Sequence, residues 1–109
     1  MEHQVVYHAD TAEKALGGGV YRRVLAYQPQ MMLAEVRFEK GSCGAMHAHP
    51  HVQSTYVLKG VFEFNIDGAL HTVRAGDTLT FLSSQQHGCT CLEDGILMDV
   101  FTPMREDFL

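Results

Sequence analysis

The chain has 109 residues, of which 46% are hydrophobic and 19% charged, with a net charge of -5. That is enough chain for a single core without staples and too apolar for disorder. The acidic balance, with Lys and Arg not gathered in runs, argues against a nucleic-acid surface, and no apolar run approaches the roughly 20 residues of a membrane span.

The opening MEHQVVYHAD has no basic region followed by an apolar stretch, so no signal peptide is expected. Three cysteines are an odd number, and Cys89 and Cys91 lie too close to staple much, which suits a reduced, cytoplasmic protein. No linker or low-complexity tract interrupts residues 1–109, so one domain is expected over the whole chain.

In chain order, Asp10 or Thr11 is read as the cap of one short helix running to Leu16, with Glu13 in the first turn and Gly17-Gly18-Gly19 ending it. The rest reads as short strands. Tyr21 to Tyr27 and Met31 to Phe38 are β-rich runs joined by Gln28-Pro29-Gln30. Ser54 to Leu58 and Val61 to Ile66 flank a predicted turn at Lys59-Gly60. Asp67-Gly68 is a hairpin signal leading into Leu70 to Val73. After Ala75-Gly76-Asp77 come Thr78 to Leu82, His87 to Leu92 and Ile96 to Thr102. Short strands at this spacing predict an all-β sandwich or barrel of antiparallel sheets.

The segment Gly41 to Gly60, GSCGAMHAHPHVQSTYVLKG, places His47, His49 and His51 on alternate positions, followed by Gln53. Strand side chains two apart share a face, so His47 and His49 project together. Pro50 breaks the strand, which sets His51 apart, while Gln53 can swing its amide oxygen back. His87, on a later strand, is the candidate fourth donor. Imidazole suits zinc, nickel, copper, iron or manganese, so the pattern does not name the metal.

Gly41, His47, His49, Gln53 and Gly60 resemble the first cupin motif, with Gln where most cupins carry Glu. Gly76 and His87 match a looser second motif, in which Leu82, Ser84 and Cys91 replace the usual Pro, Gly and Asn. The resemblance implies a double-stranded β-helix, or jelly-roll barrel, holding one divalent transition metal (nickel, zinc, manganese or iron) on His47, His49, Gln53 and His87. A neutral amide leaves the site more positive than a carboxylate would, which favours Lewis-acid work over dioxygenase chemistry.

The C-terminal Asp99-Val-Phe-Thr-Pro103 and Arg105-Glu-Asp-Phe-Leu109 resemble the ending of the KdgF pectin-degradation proteins, and Tyr21–Ala26 and Met31–Gly41 resemble their first strands. The activity that this resemblance implies is conversion of 4,5-unsaturated uronate monosaccharides, from pectin and sometimes alginate, to 5-keto-4-deoxyuronate. Asp99, Phe101 and Arg105 carry over by position as catalytic residues. Asp99 would be a general acid or base, Phe101 a platform for the sugar ring, and Arg105 a bidentate partner for the substrate carboxylate. Periodicity leaves two choices for Ile96–Thr102: either Ile96, Met98 and Val100 face the core, or Leu97, Asp99 and Phe101 face a cavity.

Cys89 and Cys91 read as small buried hydrophobes, Cys43 as a loop thiol, and His3, His8 and His71 as exposed. His51 and Tyr56 could line a site or simply pack. The absence of a Gly-rich dinucleotide motif fits chemistry without a redox cofactor. Many sheet edges suggest a homodimer. The competing readings are another metal-dependent cupin enzyme, a dioxygenase or sugar isomerase, and a non-catalytic sugar-binding cupin.

Overall fold

Two long strands organise the computed structural model, which describes residues 3–109. The strands are β1 (Glu13–Gly17), β2 (Val20–Gln28), β3 (Met31–Phe38), β4 (Cys43–His47), β5 (Val52–Ile66), β6 (Ala69–Arg74), β7 (Thr78–Phe81) and β8 (His87–Thr102). β5 and β8 pair antiparallel from Val52↔Thr102 to Ile66↔His87. Their halves have different outer neighbours. The first half of β5 pairs with β7 and the second with β6; the first half of β8 pairs with β4 and the second with β3. Every pairing is antiparallel. Strands shared in this way make the two faces of a jelly roll, as the sequence predicts.

The corner lies where the β5–β8 register slips, between Val57 and Phe62. Gly60 occupies it at φ +88, and a Cβ there would sit 2.6 Å from the Asp94 carbonyl oxygen. Gly95 faces it, where a Cβ would lie 2.5 Å from the ring of Phe62. Lys59-Gly60, predicted as a turn, is therefore a bulged bend inside one continuous strand. For the same reason the two predicted strands His87–Leu92 and Ile96–Thr102 are one, β8. A bulge lets a strand change sheets without leaving its partner.

The predicted helix up to Leu16 is not formed. A single 3-10 turn spans His8–Asp10, and Glu13–Gly17 is β1, antiparallel to β2. Gly17, Gly18 and Gly19 all have positive φ, so they turn a hairpin rather than cap a helix. Glu13 binds Arg37 in a fork, at 2.7 and 3.1 Å, in place of the expected role at a helix start. The hairpin signal at Asp67-Gly68 behaves as expected: Asp67 has φ 50, Gly68 has φ 89, and Asn65 accepts the Gly68 N–H.

The core joins both faces. Val57, Phe62 and Phe64 of β5 pack with Phe38, Leu79, Phe81 and Leu97. A smaller cluster of Met32, Ala34 and Phe101 gathers Val24, Met104 and Phe108 around it. On β8, Leu97, Asp99 and Phe101 are the buried row and Ile96, Met98 and Val100 the partly exposed one, which decides between the two choices left open above.

The bend yields a test. Gly95→Ala should destabilise the fold by about 1–3 kcal/mol, because a methyl group there must displace the fully buried Phe62 ring or the backbone. Urea unfolding at constant m-value measures it; unchanged stability would contradict the close approach.

Candidate metal and acid–base site

The end of the barrel near His47 gathers the chemistry. His47 and His87 are cross-strand partners on β4 and β8, which brings their rings to 4.4 Å between centroids. The strand spacing expected for His47 and His49 holds only at the first: β4 ends at His47, and His49 reaches the cluster from the loop before Pro50. That loop is fastened from the opposite side, since the Ser84 N–H donates to the His49 carbonyl oxygen at 2.7 Å. Ser84 makes this contact at φ 61, the left-handed region that explains why glycine is usual at its place in the motif.

One ligand atom from each of His47, His49 and His87 lies within 4.8 Å of the others. Their orientation is set from behind. Nδ1 of His47 lies 2.8 Å from the Ala45 carbonyl, Nδ1 of His87 2.9 Å from that of Gln85, and Nδ1 of His49 3.1 Å from that of His51. A carbonyl only accepts, so each Nδ1 carries the hydrogen and each Nε2 keeps a bare lone pair. Burial holds His87 down at about 4 and also lowers His49, so both rings are neutral at ordinary pH. His87 is wedged flat against Phe81 at 4.2 Å.

Two observations show that these residues fit a cation. The Nε2 of His87 is buried and has no hydrogen-bond partner among the described residues. The Nε2 of His49 faces the Gln53 amide oxygen at 3.0 Å. In this tautomer both are acceptors, and a bound cation would satisfy two lone pairs that otherwise repel. Three imidazoles and one amide oxygen suit a divalent transition metal.

Gln53 links this cluster to a carboxyl. Its amide NH2 donates to Thr55 Oγ1 at 3.0 Å, and the Thr55 hydroxyl donates to Asp99 Oδ1 at 2.7 Å. Register explains the chain, because Thr55 is directly opposite Asp99 and Gln53 opposite Phe101. Burial pushes the Asp99 carboxyl up to about 6, with the hydrogen bonds of Thr55 and Gln53 pulling it partway back. Such a group exchanges protons near neutrality.

A cavity of about 360 Å3 opens beside these groups, lined in part by His47, His87, Gln53, Asp99 and Phe101. Its size is at the lower end of the roughly 300–1,000 Å3 typical of small-ligand sites. Arg105 also lines it, with its guanidinium 5.2 Å from the Phe101 centroid and 4.3 Å from that of Phe108. Its fork is engaged by Asp107, at 2.9 and 3.0 Å.

The remaining sequence candidates fall outside the cluster. His51 turns its ring toward the Met104 carbonyl, 3.1 Å away, and meets His49 through its backbone oxygen and an edge-to-face ring contact at 5.5 Å. Tyr56 is on the exposed face of β5. Cys91 is in the core, and Cys89 is half-buried with burial pushing its thiol up to about 12, as expected of small hydrophobes. Cys43, His3, His8 and His71 are exposed. Two residues at the site escaped the sequence reading, Thr55 and Arg22. Both are polar positions within inward-facing rows, Gln53–Thr55–Val57 and Val20–Arg22–Val24, which strand alternation could have flagged.

Comparison with known proteins gives the family and the fold. Residues 34–101 match the cupin domain. The pectin degradation protein KdgF of Dickeya dadantii (strain 3937) is 36% identical over 102 residues, covering 92% of this chain and 93% of that protein. Among solved structures, an RmlC-like cupin from Shewanella frigidimarina superposes with a TM-score of 0.94 at 36% identity, covering 99% of this chain and 97% of the other. KdgF from Halomonas sp. also superposes at 0.94, with 29% identity, covering 99% of this chain and all of its own. The chain belongs to the KdgF pectin-degradation family of cupins.

Proposed function

We propose that this protein is a metal-dependent, non-redox enzyme of pectin breakdown that opens 4,5-unsaturated uronate monosaccharides to linear 5-keto-4-deoxyuronate. The observation that carries the reading is the buried chain from the imidazole cluster through Gln53 and Thr55 to Asp99. It couples a cluster of three imidazoles and an amide oxygen to one carboxyl poised near neutrality, beside a sugar-sized cavity.

His47, His49, Gln53 and His87 would hold one divalent metal, which when bound supplies positive charge to the uronate oxygens. The substrate is a cyclic enol ether with an anomeric hydroxyl. Asp99, as carboxylate, takes the proton of that hydroxyl. The C1–O bond to the ring oxygen then breaks, C1 becomes an aldehyde, and the electron pair leaves as an enolate on the former ring oxygen. Protonation of C4 by the Asp99 carboxyl completes the ketone, so the reaction is an isomerisation without loss or gain of atoms. Thr55 holds one Asp99 oxygen in place through its hydroxyl, leaving the other for the proton. Phe101 offers its ring as a sugar platform. Arg105 faces the substrate carboxylate once Asp107 gives way in its fork. The match to KdgF proteins supports the pectin context.

Exposed Val5, Tyr7 and Leu16 near the N-terminal edge of the sheet support the further proposal that the protein is a homodimer. Gel filtration is expected to give twice the 12.2 kDa chain mass, and a monomer would refute it.

Four further outcomes are expected. Metal-loaded protein, without oxygen, should speed the decay of the enol ultraviolet absorbance of unsaturated galacturonate; oxygen consumption with another substrate instead would point to a dioxygenase. Chelation should abolish turnover and a divalent ion restore it, with metal content followed by elemental analysis. Asp99→Asn should lose turnover while keeping its metal. The same variant should be more stable than the parent when metal-free. A carboxyl whose pKa rises from 3.8 to about 6 on folding weakens the fold as pH rises through that interval. The gain from Asn should be absent below pH 3.8 and reach at most about 3 kcal/mol above pH 6. A parent-to-variant difference in urea midpoint that is the same at acid and neutral pH would contradict the buried charge, since the opposite contribution of His87 cancels in that difference.

A further inference from the structure

One cation in the cavity makes no ion pair among the described residues. Arg22 is on β2 between Val20, in the main core, and Val24, packed on the smaller cluster, so it stands in a row that is otherwise apolar. It lines the same cavity as Asp99. Its neighbour Arg23 points the other way and donates to Thr11 at 2.7 and 3.0 Å. Among the described residues, Arg22 makes no side-chain hydrogen bond and no ion pair; its guanidinium carbon rests 3.7 Å from the Phe108 ring centroid. Arg105, the other arginine of the cavity, already holds Asp107. A half-buried guanidinium stacked on a ring has lost water without forming an ion pair; Asp107 acts on it only through space, against the opposing charge of Arg105, which leaves its hydrogen-bond donors free for an incoming anion.

Register places it relative to the proposed chemistry. Arg22 pairs with Val36, and Val36 with Leu97, while the next inward row runs Val24, Ala34, Asp99, Thr55. Arg22 is therefore two strands from β8 and one inward row from Asp99, roughly 12 Å between Cα atoms by strand spacing. A six-membered ring and an arginine side chain together span that gap.

We propose that Arg22 is a substrate-binding residue of this cavity, its guanidinium receiving the carboxylate of a uronic acid monosaccharide and so selecting acids over neutral sugars. This assignment rests on the uronate reading above. The two arginines, both resting on the Phe108 ring, would then share the one carboxylate: Arg22 meets it with free donors, and Arg105 joins once Asp107 is exchanged.

The test pairs binding with turnover. Wild type, Arg22→Gln and Arg22→Lys are titrated by calorimetry with D-galacturonate and D-galactose, and assayed with unsaturated galacturonate. Wild type is expected to prefer the acid. Arg22→Gln should lose roughly 10–100-fold of galacturonate affinity, the worth of a charged hydrogen-bonded contact, with galactose binding unmoved. Its KM should rise by a similar factor with kcat little changed, which a merely structural role would not produce. Arg22→Lys, with an ammonium but no fork, should fall between, and decides the matter alone if the Gln variant fails to fold. An unchanged acid-to-neutral ratio in the folded variants, or no preference for the acid in wild type, overturns the assignment. Absence of turnover by wild type would instead sink the ring-opening reading, while galacturonate discrimination still decides Arg22.

Discussion

Three hydrogen bonds from imidazole Nδ1 to backbone carbonyls govern this site. They assign the tautomer of His47, His49 and His87, and so leave every Nε2 with its lone pair directed inward. Without them the rings could rotate, and the buried Nε2 of His87 could find a polar neighbour elsewhere. The carbonyls come from Ala45, His51 and Gln85, each two residues from the ring it serves. The backbone path around each histidine thus does the orienting.

The second half of the site follows from the first. Gln53 has one oxygen and one NH2, and the bare Nε2 of His49 meets the oxygen. The NH2 must then find an acceptor on the other side, which is Thr55, and the Thr55 hydrogen goes on to Asp99. A glutamate at position 53 would have no hydrogen to give, and this polarity could not be transmitted. The amide therefore orders a chain of hydrogen bonds in one direction, from Gln53 to the carboxyl.

How much of this was legible in the chain varies with the range of the interaction. The hairpins at Asp67-Gly68 and the β-rich run Met31–Phe38 were readable because turn chemistry and alternation are local. The triple glycine misled, since positive φ serves a helix end and a tight hairpin equally well, and only pairing of Glu13–Gly17 with β2 decides between them. The bend at Gly60 read as a turn because its partner Gly95, which makes the close approach, is far away in sequence. Arg22 and Thr55 were passed over because a polar residue in a short strand looks like surface until its neighbours on the same face prove to be core.

By itself the sequence determined the donor types and their local spacing: two histidines two apart, a glutamine four beyond the second, a carboxylate and an arginine near the end. These depend on residue identity and on the two-residue period of a strand. Only the tertiary structure decided which donors meet. His87 joins His47 through a β4–β8 pairing, Thr55 reaches Asp99 through a β5–β8 pairing, and Arg22 enters the cavity across β3. Those are non-local registers, set by where two long strands bend and slip past one another, and no window along the chain contains them.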